Sequence, residues 1–105
     1  VNIEEDRVLT FSEVMPEFPG GISPMMDYIK DNLKQLEGVI GIVYVKFIVE
    51  KSGKLSSVEI LKSMPKSKGI NKAVIDLIEG MPTWIPGSNN GLLERVFMTI
   101  PIRFQ

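Results

Sequence analysis

The sequence of 105 residues contains no cysteine and no histidine. Zinc sites, thiol nucleophiles, Ser-His-Asp triads and histidine general bases are therefore excluded, and hydrolytic chemistry would have to rest on carboxylates or lysines. No apolar run approaches the ~18 residues that a membrane span needs. An excess of charge is also missing, because 12 basic and 13 acidic residues leave a formal net charge of −1. This balance argues against nucleic acid as a partner, since its binders need a concentrated basic face.

The composition that remains is that of one globular domain, with 44% hydrophobic and 24% charged residues. Ser23-Pro24 predicts the start of a first helix, as a hydroxyl cap followed by proline at the first helical position, and Gly38 predicts its end. A second helix ends at Gly80 and Pro82. The apolar residues of each helix fall at helical spacing on one face: Ile22, Met25, Met26, Ile29, Leu33 and Leu36 in the first, and Ile70, Ala73, Val74, Leu77, Ile78 and Met81 in the second.

Three segments have the alternation of β-strands. The stretch "IVYVKFIVE" (42–50) is apolar on both faces, which predicts a strand inside a sheet. The turn "EKSGK" (50–54) leads into "LSSVEILKS" (55–63), so these two strands form an antiparallel hairpin. The last strand contains Pro101, which cannot donate to a ladder, and an edge position is therefore expected. The segment "TWIPGSNNG" (83–91) between the second helix and this strand reads as a long connection.

The order of elements is thus helix, strand, strand, helix, strand. Two amphipathic helices and one sheet predict an α+β fold, a two-layer sandwich with two helices packed on a three-stranded antiparallel sheet. The expected boundaries are an N-terminal tail or short strand at residues 1–13 and the domain itself at residues 14–105.

The segment "MPEFPGG" (15–21) precedes the first helix and is open to three interpretations. Gly20-Gly21 before a helix suggests a phosphate loop, but the lysine and Ser/Thr of a Walker loop are missing. The pattern P-x-x-P suggests a ligand of SH3-type domains. The favoured interpretation is structural: the prolines hold the segment extended, and Met15 and Phe18 pack on the core.

Other chemically suggestive residues also favour structural roles. The N-terminal carboxylates have no fixed spacing on a rigid element, so a solvated acidic face is favoured over a metal or general-acid cluster. Met25 and Met26 could line an apolar groove, but they share the stripe of the other core residues of the helix. Trp84 lies beside Pro82 and Pro86, which favours a packed corner over a binding aromatic.

The edge of the last strand is the feature that points towards a function. A long open edge is either blunted by charge and proline or used as a template for pairing with another chain. An ordinary protected edge and strand addition by a partner peptide remain equally supported. The residues that would contact such a peptide alternate along the strand: Arg95, Phe97, Thr99, Pro101 and Arg103.

Four segments in this order resemble the TonB C-terminal domain, in the form common in Bacteroidetes-type bacteria: "MPEFPGG", "GIVYVKFIVEKSGKLSSVEILKS", "AVIDLIEGMPTWIPG" and "VFMTIPIRF". The resemblance implies a periplasmic energy-transducer domain without enzymatic activity or cofactor, which supports import of siderophores or other nutrients. Its partner would be the TonB box, a short segment of an outer-membrane receptor that adds as a strand to the last strand. The chain begins at Val1 without methionine, so an upstream segment is expected to anchor it in the inner membrane and reach a proton-motive complex.

The segment "NLKQLEGVIG" (32–41) differs from the family, because it is shorter and lacks the usual Tyr-Pro pair. An alternative is therefore a TonB-like domain fused to a membrane sensor or peptidase, where it binds a ligand or partner without transmitting force. An open edge can also pair with itself, so a homodimer is a further alternative. A carboxylate-dependent hydrolase is disfavoured, since no two acids are placed on facing rigid elements.

Overall fold

The computed structural model describes residues 7–104. A 3₁₀ turn at Lys34–Leu36 follows the first helix. In chain order the helices and strands are α1 (Ile22–Asn32), β1 (Gly41–Val49), β2 (Leu55–Met64), α2 (Lys68–Glu79), β3 (Gly87–Asn89), β4 (Leu92–Glu94) and β5 (Val96–Phe104). The predicted order of two helices and three long strands is confirmed, and β3 and β4 form a second, small sheet.

The main sheet has the order β2-β1-β5, with both pairs antiparallel. β1 is central, as its two apolar faces predicted, and β5 lies at an edge, as Pro101 predicted. The β1–β5 register runs without irregularity from Gly41 opposite Phe104 to Val49 opposite Val96. The β1–β2 register shifts twice, so β5 has the more regular pairing of the two edge strands.

The core lies between this sheet and the two helices. Alternate residues of β1 are fully buried: Val43, Val45, Phe47 and Val49. Trp84 is buried in the predicted packed corner, with its ring edge-on to Phe47 at 5.4 Å and to Phe18 at 6.0 Å between ring centroids. The α2 stripe also packs as predicted, and Ser67 caps that helix by accepting from the Ile70 N–H at 3.2 Å.

The predicted boundaries of α1 are wrong at both ends. The helix begins at Ile22 with Gly21 as its cap residue, and Ser23 makes no capping bond. The reason is the turn before it: Gly21 donates to the Phe18 carbonyl at 2.7 Å, and both glycines have positive φ. At the other end the helix stops at Asn32, whose side-chain amide donates a hydrogen bond to the Tyr28 carbonyl at 2.8 Å. Such side-chain bonds compete with helix continuation, so Gly38 is not its end.

Two methionines were predicted to be in the core and are not. Met15 is 36% exposed, because the segment is extended and its alternation turns Pro16 and Phe18 inwards and Met15 outwards. Met26 is 56% exposed at the side of α1, whereas Met25 packs against the core. The prediction for Phe18 is confirmed, since that side chain is 6% exposed.

The predicted long connection at residues 83–91 contains instead the start of a hairpin. Asn89 pairs with Leu92 across the two-residue turn Asn90-Gly91, in which both residues have positive φ. This is the geometry of a type I′ turn, for which Asn-Gly is the preferred sequence. The hairpin lies directly before β5. The N-terminal residues contact the hairpin region, as described below.

Candidate functional site

The main chain of β5 presents its odd-numbered residues to the outer edge of the sheet. Phe97 donates its N–H outwards to the Leu9 carbonyl, and the outward carbonyl of Arg95 accepts from the Leu9 N–H, both at 2.8 Å. Since strand residues alternate, Thr99, Pro101 and Arg103 also turn their main-chain groups outwards. The missing N–H of Pro101 therefore falls on the outer side and costs the β1–β5 ladder nothing.

Residues 8–17, here called the N-terminal strap, cover the beginning of this edge. Leu9 forms a parallel bridge with Val96, and the strap then leaves β5. It continues against the hairpin region through two antiparallel bridges, Val14 with Ser88 and Glu17 with Ile85. Residues 1–6, the first part of the tail predicted at residues 1–13, lie outside the described residues.

The rest of the edge, here called the free edge, extends from the Phe97 carbonyl to Arg103. Among residues 7–104, nothing hydrogen bonds to the outward N–H groups of Thr99 or Arg103, or to the outward carbonyls from Phe97 onwards. It offers two donors and four acceptors at the spacing of a β-ladder. This arrangement can bind an extended peptide through its backbone.

The side chains of the free edge lie on the face of the sheet opposite the helices. Thr99, Pro101 and Arg103 are exposed there. Their partners on the neighbouring strand β1 are Lys46, Tyr44 and Ile42, respectively. Phe97 is half-buried, with the Lys46 ammonium 4.2 Å from its ring centroid. The exposed side chains flank the position of an added strand.

Arg95 is placed differently from the other predicted contact residues. Its guanidinium donates from Nε to Glu50 Oε1 at 2.6 Å and from a terminal nitrogen to Glu50 Oε2 at 3.1 Å. Its main-chain carbonyl accepts a hydrogen bond from the Leu9 N–H. The bond from Arg95 lowers the pKa of Glu50, partial burial opposes that shift, and the Ser56 hydroxyl adds to it. The structure therefore brings Thr99, Pro101 and Arg103 together on the free edge, leaves Phe97 at its start, and places Arg95 outside it.

A groove lies where α1 approaches the C-terminal end of β5, with a volume of about 690 Å³. Its apolar lining consists of Met26, Ile29, Leu33, Leu36 and Phe104. Its charged rim consists of Asp27, Lys30, Asp31, Lys34, Glu37 and Arg103. Sequence analysis considered a groove at Met25 and Met26 but favoured core packing for both, and only Met26 lines the groove. The Leu9 bridge was not predicted.

Neither a metal site nor a membrane span is found within the described residues. In residues 7–104 no group of three acidic side chains is placed to hold a metal ion. No helix in that range is long and apolar enough to cross a membrane.

Comparison with protein families gives a match at residues 33–105 to the family described as Gram-negative bacterial TonB protein C-terminal. This chain belongs to that family. The matched range contains α2, the whole main sheet and the free edge, and the "MPEFPGG" segment lies before it. No curated protein and no solved structure gives a significant match.

Membership makes the chain a TonB-type periplasmic domain. The family is associated with transport and is non-enzymatic, and its members interact in general with outer-membrane receptors.

Proposed function

We propose that this TonB C-terminal domain binds the TonB box of an outer-membrane receptor by strand addition along the free edge. The observation that carries the proposal is the row of outward main-chain groups from the Phe97 carbonyl to Arg103, which have no hydrogen-bond partner among residues 7–104, on a regularly paired strand. Strand addition requires this arrangement, because main-chain hydrogen bonds hold the peptide at the edge of the sheet.

An antiparallel peptide could form one hydrogen bond with Phe97, two with Thr99, one with Pro101 and two with Arg103, six in all. Each bond contributes about 1 kcal/mol net. Association costs at least about 4 kcal/mol in lost freedom of motion and more for ordering a flexible peptide. Backbone pairing alone therefore gives weak binding, and side-chain contacts have to supply the rest.

The five alternating residues have separate roles in this proposal. Thr99, Pro101 and Arg103 form the free edge and flank the peptide with their exposed side chains. Phe97, whose ring contacts the Lys46 ammonium, marks the end of the free edge at the strap. Arg95 positions the start of β5 through Glu50 and does not contact the peptide.

Binding by strand addition also suits the transmission of force. In the proposed transducer, an upstream segment anchors the domain in the inner membrane and couples it to a proton-motive complex. Tension from that side enters through the strap, which is joined to β5 by the Leu9 bridge. β5 is also the strand that holds the peptide. Cargo import would follow from pulling on the receptor through this strand.

The test is titration of the ¹⁵N-labelled domain with synthetic peptides that copy the periplasmic N-terminal segments of receptors encoded in the same genome. We expect amide shifts concentrated at residues 97–103. Thr99→Pro removes an outward donor without touching the β1 ladder, so it should weaken peptide affinity by about fivefold or more and leave the unfolding midpoint nearly unchanged. Thr99→Val is the matched control, since it keeps the donor and the branched side chain, and should bind normally.

Absence of shifts with every receptor peptide would overturn the proposal. So would a Thr99→Pro variant that binds as tightly as the wild type. Concentration-dependent shifts of the same amides without peptide would show instead that the edge pairs with a second copy.

A further inference from the structure

A strand added to the free edge has side chains on both faces of the sheet, because successive residues alternate. Residues of the peptide opposite Thr99, Pro101 and Arg103 share their open face. Residues opposite Ile102 and Phe104 point to the helix side, since those two residues are themselves buried there. On that side and at that end of β5 lies the groove between Phe104 and α1.

The groove is apolar inside and balanced in charge at its rim. Met26 is 56% exposed within it, although it belongs to the apolar stripe of α1. The rim has three basic and three acidic side chains, with no ion pair among them in the described part of the chain. A groove without net charge selects its occupant by apolar contact and shape rather than by long-range attraction.

We propose that this groove is the side-chain specificity site for the added strand, and that it takes an aliphatic or aromatic residue of the peptide opposite Ile102 or Phe104. The inference rests on the proposed strand addition and names the contact that backbone pairing lacks. The groove and the free edge meet at Arg103 and Phe104, so one extended peptide occupies both. The partner peptide therefore alternates, with an apolar residue towards α1 and unrestricted residues towards the open face.

The first experiment uses the absence of native cysteine. Met26→Cys places a single thiol in the groove, and a receptor peptide that gives the amide shifts is synthesised with one cysteine at each position in turn. With oxidised glutathione added as the two-electron oxidant, we expect disulfide formation between the two thiols to alternate along the peptide, with a maximum at a residue opposite Ile102 or Phe104. Ser23→Cys, which is exposed on the same helix outside the groove lining, is the control and should give no alternation.

The second experiment replaces Met26 by aspartate, which is tolerated in folding because the side chain is mostly exposed. Affinity for the peptide should fall by about tenfold or more, whereas Ser23→Asp should change it by less than about twofold. Replacing the groove residue of the peptide by alanine should give a similar loss, and the two changes together should be no worse than either alone. Wild-type affinity should be nearly independent of salt between low and high ionic strength.

The outcomes separate the two proposals. Peptides that shift residues 97–103 but bind Met26→Asp normally would overturn the groove and leave strand addition intact. Crosslinking at every peptide position, or at none, would also overturn the groove. If no peptide shifts residues 97–103, strand addition itself is wrong, and the groove assignment is overturned with it.

Discussion

Leu9 and Val96 lie side by side in a parallel bridge, and the main chain of Leu9 bonds to the residues on either side of Val96. This bridge fixes where the outer edge of β5 becomes free. It satisfies the Phe97 N–H, whereas the N–H groups of Thr99 and Arg103 have no partner among residues 7–104. Neighbouring outward amides of one strand are therefore in different states.

Hydrogen exchange can read that difference. We expect slow exchange at Met98, Ile100 and Ile102, which pair with β1, intermediate exchange at Phe97, and fast exchange at Thr99 and Arg103. Leu9→Pro removes the N–H that bonds to Arg95 and should make Phe97 exchange faster, while Ile100 is unaffected. The measurement is amide exchange followed by NMR at low protein concentration. Protection of Thr99 equal to that of Ile100 would contradict the free edge.

The ion pair between Glu50 and Arg95 predicts a pH-dependent part of stability. Because Arg95 lowers the folded-state pKa of Glu50 below its unfolded value, the pair stabilises fully above that unfolded value. The contribution is lost as pH falls through the folded pKa. Arg95→Met should cost about 1 kcal/mol at pH 7 and progressively less towards pH 3, as measured by urea unfolding.

Lys72→Met is the matched control for that prediction. Lys72 forms an exposed helix pair with Asp76 at 2.7 Å, with side chains 77% and 59% exposed. Its removal should leave the urea midpoint nearly unchanged at both pH values. An Arg95→Met variant with the same loss at pH 3 as at pH 7 would show that packing, rather than the charge pair, is responsible.

The sequence predicted those parts of the site that depend on local pattern. Alternation in β5 assigned its two faces correctly, and Pro101 alone was enough to place it at an edge. The Leu9 bridge could not be predicted, because it joins residues far apart in the chain and one isolated bridge leaves no periodicity. The strands β3 and β4 are only three residues long, which is too short to show the alternation of a strand. Asn90-Gly91 was nevertheless a usable turn signal. Met26 was misplaced because a helical stripe does not reveal how much of it a small sheet covers.

Gly53 and Gly38 provide a matched pair that separates backbone conformation from crowding. Both have φ near +84°, at +85° and +83°, in the region that other residues avoid. A side chain at Gly53 would overlap the Trp84 carbonyl, while one at Gly38 meets nothing within 4 Å. We expect Gly38→Ala to cost about 1 kcal/mol, from conformation alone. Gly53→Ala should cost at least about 2 kcal/mol more, because the Trp84 N–H to Gly53 carbonyl bond of 2.9 Å must also yield. Equal losses in thermal unfolding would contradict this close approach.

Phe18 tests whether the segment before α1 is packing or a binding site. Its ring is 6% exposed, contacts Trp84 edge-on and lies 5.8 Å from the Tyr28 ring centroid. Phe18→Ser should therefore lower the free energy of unfolding by about 3–5 kcal/mol, and Phe18→Leu should recover much of it. Phe11→Ser, at a side chain that is 71% exposed, should be close to neutral. Peptide affinity of the folded fraction should be nearly unchanged in all three, since Phe18 lies in the core rather than on the free edge. A stable Phe18→Ser variant with lost peptide binding would reverse the assignment and make this segment part of the interaction surface.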